Sequence, residues 1–134
     1  MRHALILLTL LLLGACAGKS GSTSKLQETL YAYQSTIRWG DLTGALAFVD
    51  PDLREKQAPS SLEERRLAQL QVAGYYVQGS QQVGEGEYEQ IVEIRLVNRN
   101  TQVERSVIDR QTWRWSVEDK AWWLTSGLPD FSRS

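Results

Sequence analysis

Apolar residues are spaced along this chain in three successive ways, and each spacing predicts a different kind of structure. From Ala4 to Leu13 they are almost unbroken. From Leu26 to Leu70 they recur at helical intervals, and from Val72 onward they alternate with polar residues among β-branched and aromatic neighbours. The middle spacing lines one face of helices and the last lines one face of strands. Two or three N-terminal helices followed by a sheet therefore define an α+β chain.

Ser24 and Gln27 form a capping-box pair at the start of a first helix, in which Leu26, Leu30, Tyr33 and Ile37 share a face. Gly40 is placed to end it. Asp41 then caps a shorter helix that buries Leu42, Ala45, Leu46 and Val49. Asp50-Pro51 reads as a cap followed by proline at the first helical position, predicting one more turn over 52–56. Ser61 and Glu64 match a further capping box, and Glu63 is spaced to pair with Arg66 on the solvated side of a helix ending near Leu70.

The first long strand contains Gly74 and Gly79, positions that mark bulges or sharp bends, and Gly84-Glu85-Gly86 reads as a hairpin turn. The next two strands, 88–97 and 102–115, meet at Asn98-Arg99-Asn100-Thr101. A turn centred there sets Leu96 against Val103, Val92 against Val107, Ile91 against Ile108, and Arg95 against Glu104 with compensating charge. A tight loop at Glu118-Asp119-Lys120 then brings Trp123 opposite Trp115. The prediction is a curved antiparallel sheet of about four strands.

Because side chains alternate along a strand, this register puts Tyr88, Gln90, Val92, Ile94, Leu96, Val103, Arg105, Val107, Asp109, Gln111, Trp113 and Trp115 on one face. Glu89, Glu93, Arg95, Glu104, Arg110 and Arg114 fall on the other, so the first face is the concave one that meets the helices. Within it Gln90 falls opposite Asp109 and Tyr88 opposite Gln111. Buried polar groups are costly unless paired. Tyr88, Gln90, Asp109, Gln111 and Trp113 are thus the candidate pocket, with a merely wet open end of the sheet as the alternative reading. Of the five tryptophans, most are expected in the core, and Trp122 and Trp123 must point to opposite faces of the sheet.

The element order, the helix corner Trp39-Gly40-Asp41-Leu42 and the closing strands around Arg114-Trp115 and Ala121-Trp122-Trp123-Leu124-Thr125-Ser126-Gly127 resemble the NTF2-like, cone-shaped α+β superfamily over about residues 24–128. That resemblance implies helices lying in the concave face of a bent sheet. Some members catalyse isomerisation or dehydration with a carboxylate, tyrosine or histidine in this cavity, which implies Asp109 as base and Tyr31, Tyr33 or Tyr88 as acid. Others of that superfamily pair their open sheets, which implies a homodimer. No residue here matches a motif specific to the enzymes, and a fold alone does not establish an activity.

The first apolar run changes the picture of where the chain resides. Met1 to His3 bring positive charge, the run is far shorter than the roughly 20 residues of a membrane-crossing helix, and Gly14-Ala15 are small, the order of a signal peptide. Leu13-Gly14-Ala15-Cys16 resembles the lipobox of bacterial lipoproteins. The resemblance implies cleavage before Cys16, acylation of its thiol, and, since Ala17 rather than aspartate follows, an outer-membrane anchor facing the periplasm. Two or more acyl chains anchor stably where one does not. The expected organisation is a signal peptide at 1–15, lipidated Cys16 with a flexible Gly/Ser/Thr tether through 24 reaching roughly 15 Å, and one domain at 25–134.

Composition narrows the chemistry. A formal net charge of -1 is no electrostatic footprint for nucleic acid. The only histidine, His3, and the only cysteine, Cys16, leave the domain with no His or free thiol, so the common nucleophile and zinc-site patterns have no donors. No calcium-type or phosphate-type loop is present, and no cofactor or metal is expected. The function expected is a membrane-anchored envelope lipoprotein with a non-enzymatic domain that binds an envelope protein or a small apolar ligand. A small enzyme of isomerase or dehydratase type using the concave pocket is the alternative.

Overall fold

The computed structural model describes residues 17–132, with side chains from residue 21. Cys16 and the apolar segment 1–15 lie outside the described residues. Helix α1 (Ala17–Arg38) is followed by a 3-10 turn (Gly44–Phe48) and two short helices, α2 (Pro51–Gln57) and α3 (Ser61–Ala68). Strands β1 (Leu70–Gly84), β2 (Glu87–Asn98), β3 (Glu104–Ser116) and β4 (Ala121–Leu124) form one antiparallel sheet in that order. The helices pack against a curved, open, four-stranded sheet, an α+β architecture consistent with an NTF2-like arrangement. Among the described residues no helix is long and apolar enough to cross a membrane.

Helix α1 buries Leu26, Tyr33 and Ile37, the stripe its spacing predicts. It starts earlier than expected, taking in the Gly/Ser/Thr stretch assigned to a tether. Tertiary contacts hold the end of that stretch and the residue after it: the Trp122 indole donates to the Ser22 carbonyl at 2.8 Å, and the Lys25 ammonium donates to the Lys120 carbonyl at 3.1 Å. Gly40 ends the helix in the left-handed region at φ 88°, where the Asp41 N–H reaches the Thr36 carbonyl at 3.1 Å. The Asp41 carboxylate accepts from the Gly44 N–H at 2.7 Å, but the element that follows is 3-10 rather than α-helical and its cap position is Thr43, not Asp41.

Asp50 caps α2, accepting from the Asp52 N–H at 2.9 Å, with Pro51 in the first turn. The capping box of α3 is Ser60 with Glu63, one residue before the expected Ser61 with Glu64. Both pairs have the right spacing; only the former leaves Glu63 free to close on the Ser60 N–H, at 2.7 Å. Glu63 therefore serves the helix end instead of pairing with Arg66.

Strand β1 shifts register against β2 at Val72/Gly74, Val77/Gly79 and Gln82/Gly84, so the glycines do mark bulges. Between β2 and β3 the register runs unbroken from Glu87–Arg114 to Val97–Glu104. It sits two residues from the expected one: Leu96 faces Arg105, Val92 faces Asp109, Ile91 faces Arg110, and Arg95 faces Ser106. The cause is Asn98, which belongs to the strand end and not to the loop. Its carboxamide accepts from the N–H groups of Asn100 and Thr101, its N–H bonds the Val103 carbonyl at 3.0 Å, and Gln102 takes a φ of 60°. A two-residue shift conserves parity, so every side chain keeps its face.

Arg95 finds its carboxylate on its own strand, at Glu93, 3.5 Å away, while Glu104 lies opposite Val97. The charged residues do occupy the convex face. Val103, expected inside, is 61% exposed because the paired strand starts after it. At the other end Trp115 faces Trp122 and not Trp123, since the loop closes between Ser116 and Ala121; their rings lie 5.8 Å apart. Trp122 is buried and Trp123 lies on the opposite face under the Arg54 guanidinium, 5.5 Å from the ring centroid. Trp39, just past the end of α1, is 84% exposed and stands outside the core.

Candidate functional site

The inward residues of β2 and β3 divide into two ends. Val92, Ile94, Leu96 and Val107 meet the helices as apolar core. Gln90, Asp109, Gln111 and Trp113 continue the same face and are buried too, with Tyr88 half-buried beside them. Unbroken pairing brings Gln90 opposite Gln111 and Tyr88 opposite Trp113, in place of the expected Gln90–Asp109 and Tyr88–Gln111 pairs. The five residues do share the concave face.

Gln90, Asp109, Gln111 and Trp113 are joined by hydrogen bonds. Gln111 donates to the Asp109 carboxylate at 2.7 Å, and Tyr33, reaching in from α1, donates to the same oxygen at 3.2 Å. The carboxamide nitrogen of Gln111 also lies 3.0 Å from the Tyr75 hydroxyl. Its carbonyl oxygen accepts from Gln90 at 3.2 Å and from the Trp113 indole at 3.1 Å. Tyr33 is wedged edge-on between Phe48 and Trp113, with ring centroids 5.5 and 5.3 Å away. The network is thereby fixed in position by aromatic packing as well as by hydrogen bonds.

Burial governs its electrostatics. It pushes the Asp109 carboxyl from 3.8 up to about 6, against the opposing pull of the hydrogen bonds from Gln111 and Tyr33. Burial also pushes the Tyr75 hydroxyl up to about 12, and raises Tyr33 well above the ordinary tyrosine range, with the Asp109 charge as a further cause. The cluster can hold one proton on Asp109 in mildly acid conditions and release it near neutrality, with both tyrosines staying protonated.

Of the three tyrosines named beside Asp109, Tyr33 alone bonds to it; Tyr31 is 73% exposed on the outer side of α1. Tyr75 was not anticipated from the sequence. Its inward direction depends on the bulge at Gly74, which resets the parity of β1, and Gly74 itself was the only signal that alternation fails there. Among the described residues no three His, Cys, Asp or Glu side chains gather as a metal site would require.

Two open concavities lie elsewhere. A cleft of about 320 Å³ runs between the 3-10 turn, the α2–α3 link and the C-terminal segment, with Leu42, Leu46, Leu67, Leu128 and Phe131 among its apolar walls and Lys56 and Arg66 among its charged ones. Gln57 holds that segment in place by accepting from the Leu128 N–H at 2.8 Å and donating to the Leu128 carbonyl at 3.4 Å. Gly127, at φ 74°, must lack a side chain, because a Cβ there would lie 2.5 Å from the Gln57 amide oxygen. A groove of about 430 Å³ separates Ser106–Arg110 of β3 from Ser126–Asp130. Of the five candidate pocket residues Asp109 alone lines either concavity, the groove beside β3; Tyr88, Gln90, Gln111 and Trp113 line neither. No protein-family model, curated protein or solved structure matches the chain.

Proposed function

We infer that the chain is a lipoprotein of the bacterial cell envelope, anchored through acylated Cys16, whose domain binds a small apolar ligand or a partner protein and performs no reaction. The observation that supports a binding domain is where the open space lies. Gln90, Asp109 and Gln111 of the concave face are tied into one hydrogen-bonded network with Tyr33, whereas the cleft beside Leu46, Leu67 and Leu128 is open, with apolar and polar residues both in its walls. Its volume of about 320 Å³ falls at the lower end of the roughly 300–1,000 Å³ of small-molecule sites. Its charged walls are mixed, Lys56 and Arg66 with Glu63 and Asp130, so the apolar residues set the kind of ligand it would take.

Titrating the full chain in detergent with anilinonaphthalene sulfonate, an apolar anion, tests the cleft. Saturable amide shifts at Leu46, Leu67 and Leu128 are expected, and shifts confined to other surfaces would remove the cleft as the site. The anchor is tested separately: Cys16→Ser should abolish incorporation of labelled palmitate and release the chain from the membrane fraction, and a variant still labelled and sedimenting would end the lipoprotein reading. An outer-membrane location facing the periplasm completes the proposal.

One observation favours the second reading, a small isomerase or dehydratase. A buried carboxyl raised to about 6 and bonded to a tyrosine is suited to proton transfer near neutrality. Under that reading Asp109→Asn abolishes turnover of an enolisable ketone or a β-hydroxy acid; under the binding reading it leaves the cleft titration unchanged.

A further inference from the structure

The three places where this sheet could accept another strand are treated differently by the fold. The outer edge of β1 is interrupted by three bulges, which break the regular spacing a new strand would need. Beyond β4, the Val49–Asp50 segment already pairs: Val49 bridges Leu124, and the Asp50 N–H bonds the Leu124 carbonyl at 3.1 Å. The third place is β3. Strand β4 pairs only with Trp113–Ser116, so the preceding stretch of β3 has β2 on one side and no strand on the other.

The direction of the free backbone groups follows from the hydrogen bonds at the two ends of β3. Trp115 donates its N–H to Gly86, and the Val103 carbonyl accepts from Asn98, so odd-numbered residues point toward β2. Thr112 points the other way, accepting from the Thr125 N–H at 2.9 Å and donating to the Ser126 hydroxyl at 3.0 Å. By alternation Ser106, Ile108 and Arg110 turn their N–H and C=O groups outward. The stretch is free of bulges.

The C-terminal segment leaves this edge after Ser126 and returns at Phe131, whose carbonyl accepts from the Arg105 guanidinium. Between these two ties it bows away, leaving the groove of about 430 Å³. A second copy of the domain would bring its own bowed segment into that space, whereas a single extended segment would not. Charge narrows the choice further. Asp109 and Asp130 also line the groove, the first buried and the second accepting from the Ser132 N–H, while Arg110, exposed at the rim, takes part in neither the Glu93–Arg95 nor the Glu87–Arg114 ion pair. Ile108, 48% exposed on the same face, offers a β-branched neighbour.

We propose that the β3 edge at Ser106, Ile108 and Arg110 binds an extended acidic peptide segment of a partner protein as an added strand, with an acidic side chain against Arg110. Backbone hydrogen bonds supply the attachment and the alternating side chains the preference. The groove and the cleft share Leu128, Pro129 and Asp130, so shifts at Ser106, Ile108 and Arg110 report this surface and shifts at Leu46 and Leu67 report the cleft.

The probes are capped heptapeptides of alternating valine and glutamate, or valine and lysine, titrated into the full chain in detergent micelles and followed by amide shifts. The glutamate peptide should give saturable shifts centred on Ser106, Ile108 and Arg110, with the lysine peptide weaker by about tenfold or more. Ile108→Pro removes an outward N–H that β2 does not use, so it should abolish binding while the thermal midpoint stays near that of the native chain. If that variant fails to fold, Arg110→Glu decides the matter by reversing the preference between the peptides. Shifts centred elsewhere, equal binding of both peptides, or an Ile108-dependent dimer without peptide would each overturn the proposal.

Discussion

The two ends of the concave face are built from the same strands in the same register, yet they are stabilised by different physics. At one end Val92, Ile94 and Leu96 are fully buried apolar groups, whose worth is the area they remove from water. At the other, Gln90, Asp109 and Gln111 are nearly as buried but contribute only through completed hydrogen bonds, since each bond made in the interior replaces one made to water. The apolar end tolerates no lost volume. The polar end tolerates no lost partner, and its balance depends on pH.

Removing volume at the apolar end should have the largest effect. Leu96→Ala deletes a fully buried side chain and is expected to lower the unfolding free energy by roughly 2 to 5 kcal/mol in denaturant titration. A loss under about 1 kcal/mol would mean that the helices collapse onto the space and that the apolar end is loosely packed.

The next effect sets the polar end apart by its sign. The Asp109 carboxyl is raised from 3.8 to about 6 on folding, so between these values the native state binds more protons than the unfolded chain. Stability from this group is full at and below pH 3.8 and is lost as pH rises through about 6. Asp109→Asn keeps the shape and removes the charge. Its stability relative to the native chain should therefore increase by roughly 2 to 3 kcal/mol from pH 4 to pH 7. Two parallel pH profiles would return Asp109 to its ordinary value and remove the distinction between the two ends.

The smallest effect is expected on the convex face, where the Arg114 guanidinium meets Glu87 at 3.1 Å with both side chains largely in solvent. Arg114→Ala should change stability by less than about 0.5 kcal/mol, and by less still in high salt. A larger, salt-insensitive loss would show that Arg114 packs on its neighbours more than it pairs.

Much of the path to this site is legible in residues whose behaviour is local. Gly40 ends its helix because only glycine readily takes that backbone angle, Asp41 holds the turn that leads into the 3-10 segment, Asp50 caps α2, and Gly74 and Gly79 mark the bulges of β1. The shared face of Gln90, Asp109, Gln111 and Trp113 is also legible, because alternation along a regular strand survives an error of two residues in register. The register itself was not. It turns on whether Asn98 closes the hairpin or sits in its loop, and both choices satisfy the same turn chemistry.

What the sequence determined by itself was therefore the order of the elements, helices before sheet, and most of the inward set of side chains on β2 and β3. Tertiary structure alone decided the rest. It tied the Gly/Ser/Thr stretch to the domain through the Trp122 indole, turned Tyr75 inward through a bulge, brought Tyr33 against Asp109 from 76 positions away, and left the middle of β3 with a strand on one side only. Spacing and capping act over a few residues and can be read from a string. Contacts between distant segments depend on how whole elements pack, and burial, which sets the Asp109 proton affinity, exists only once they have.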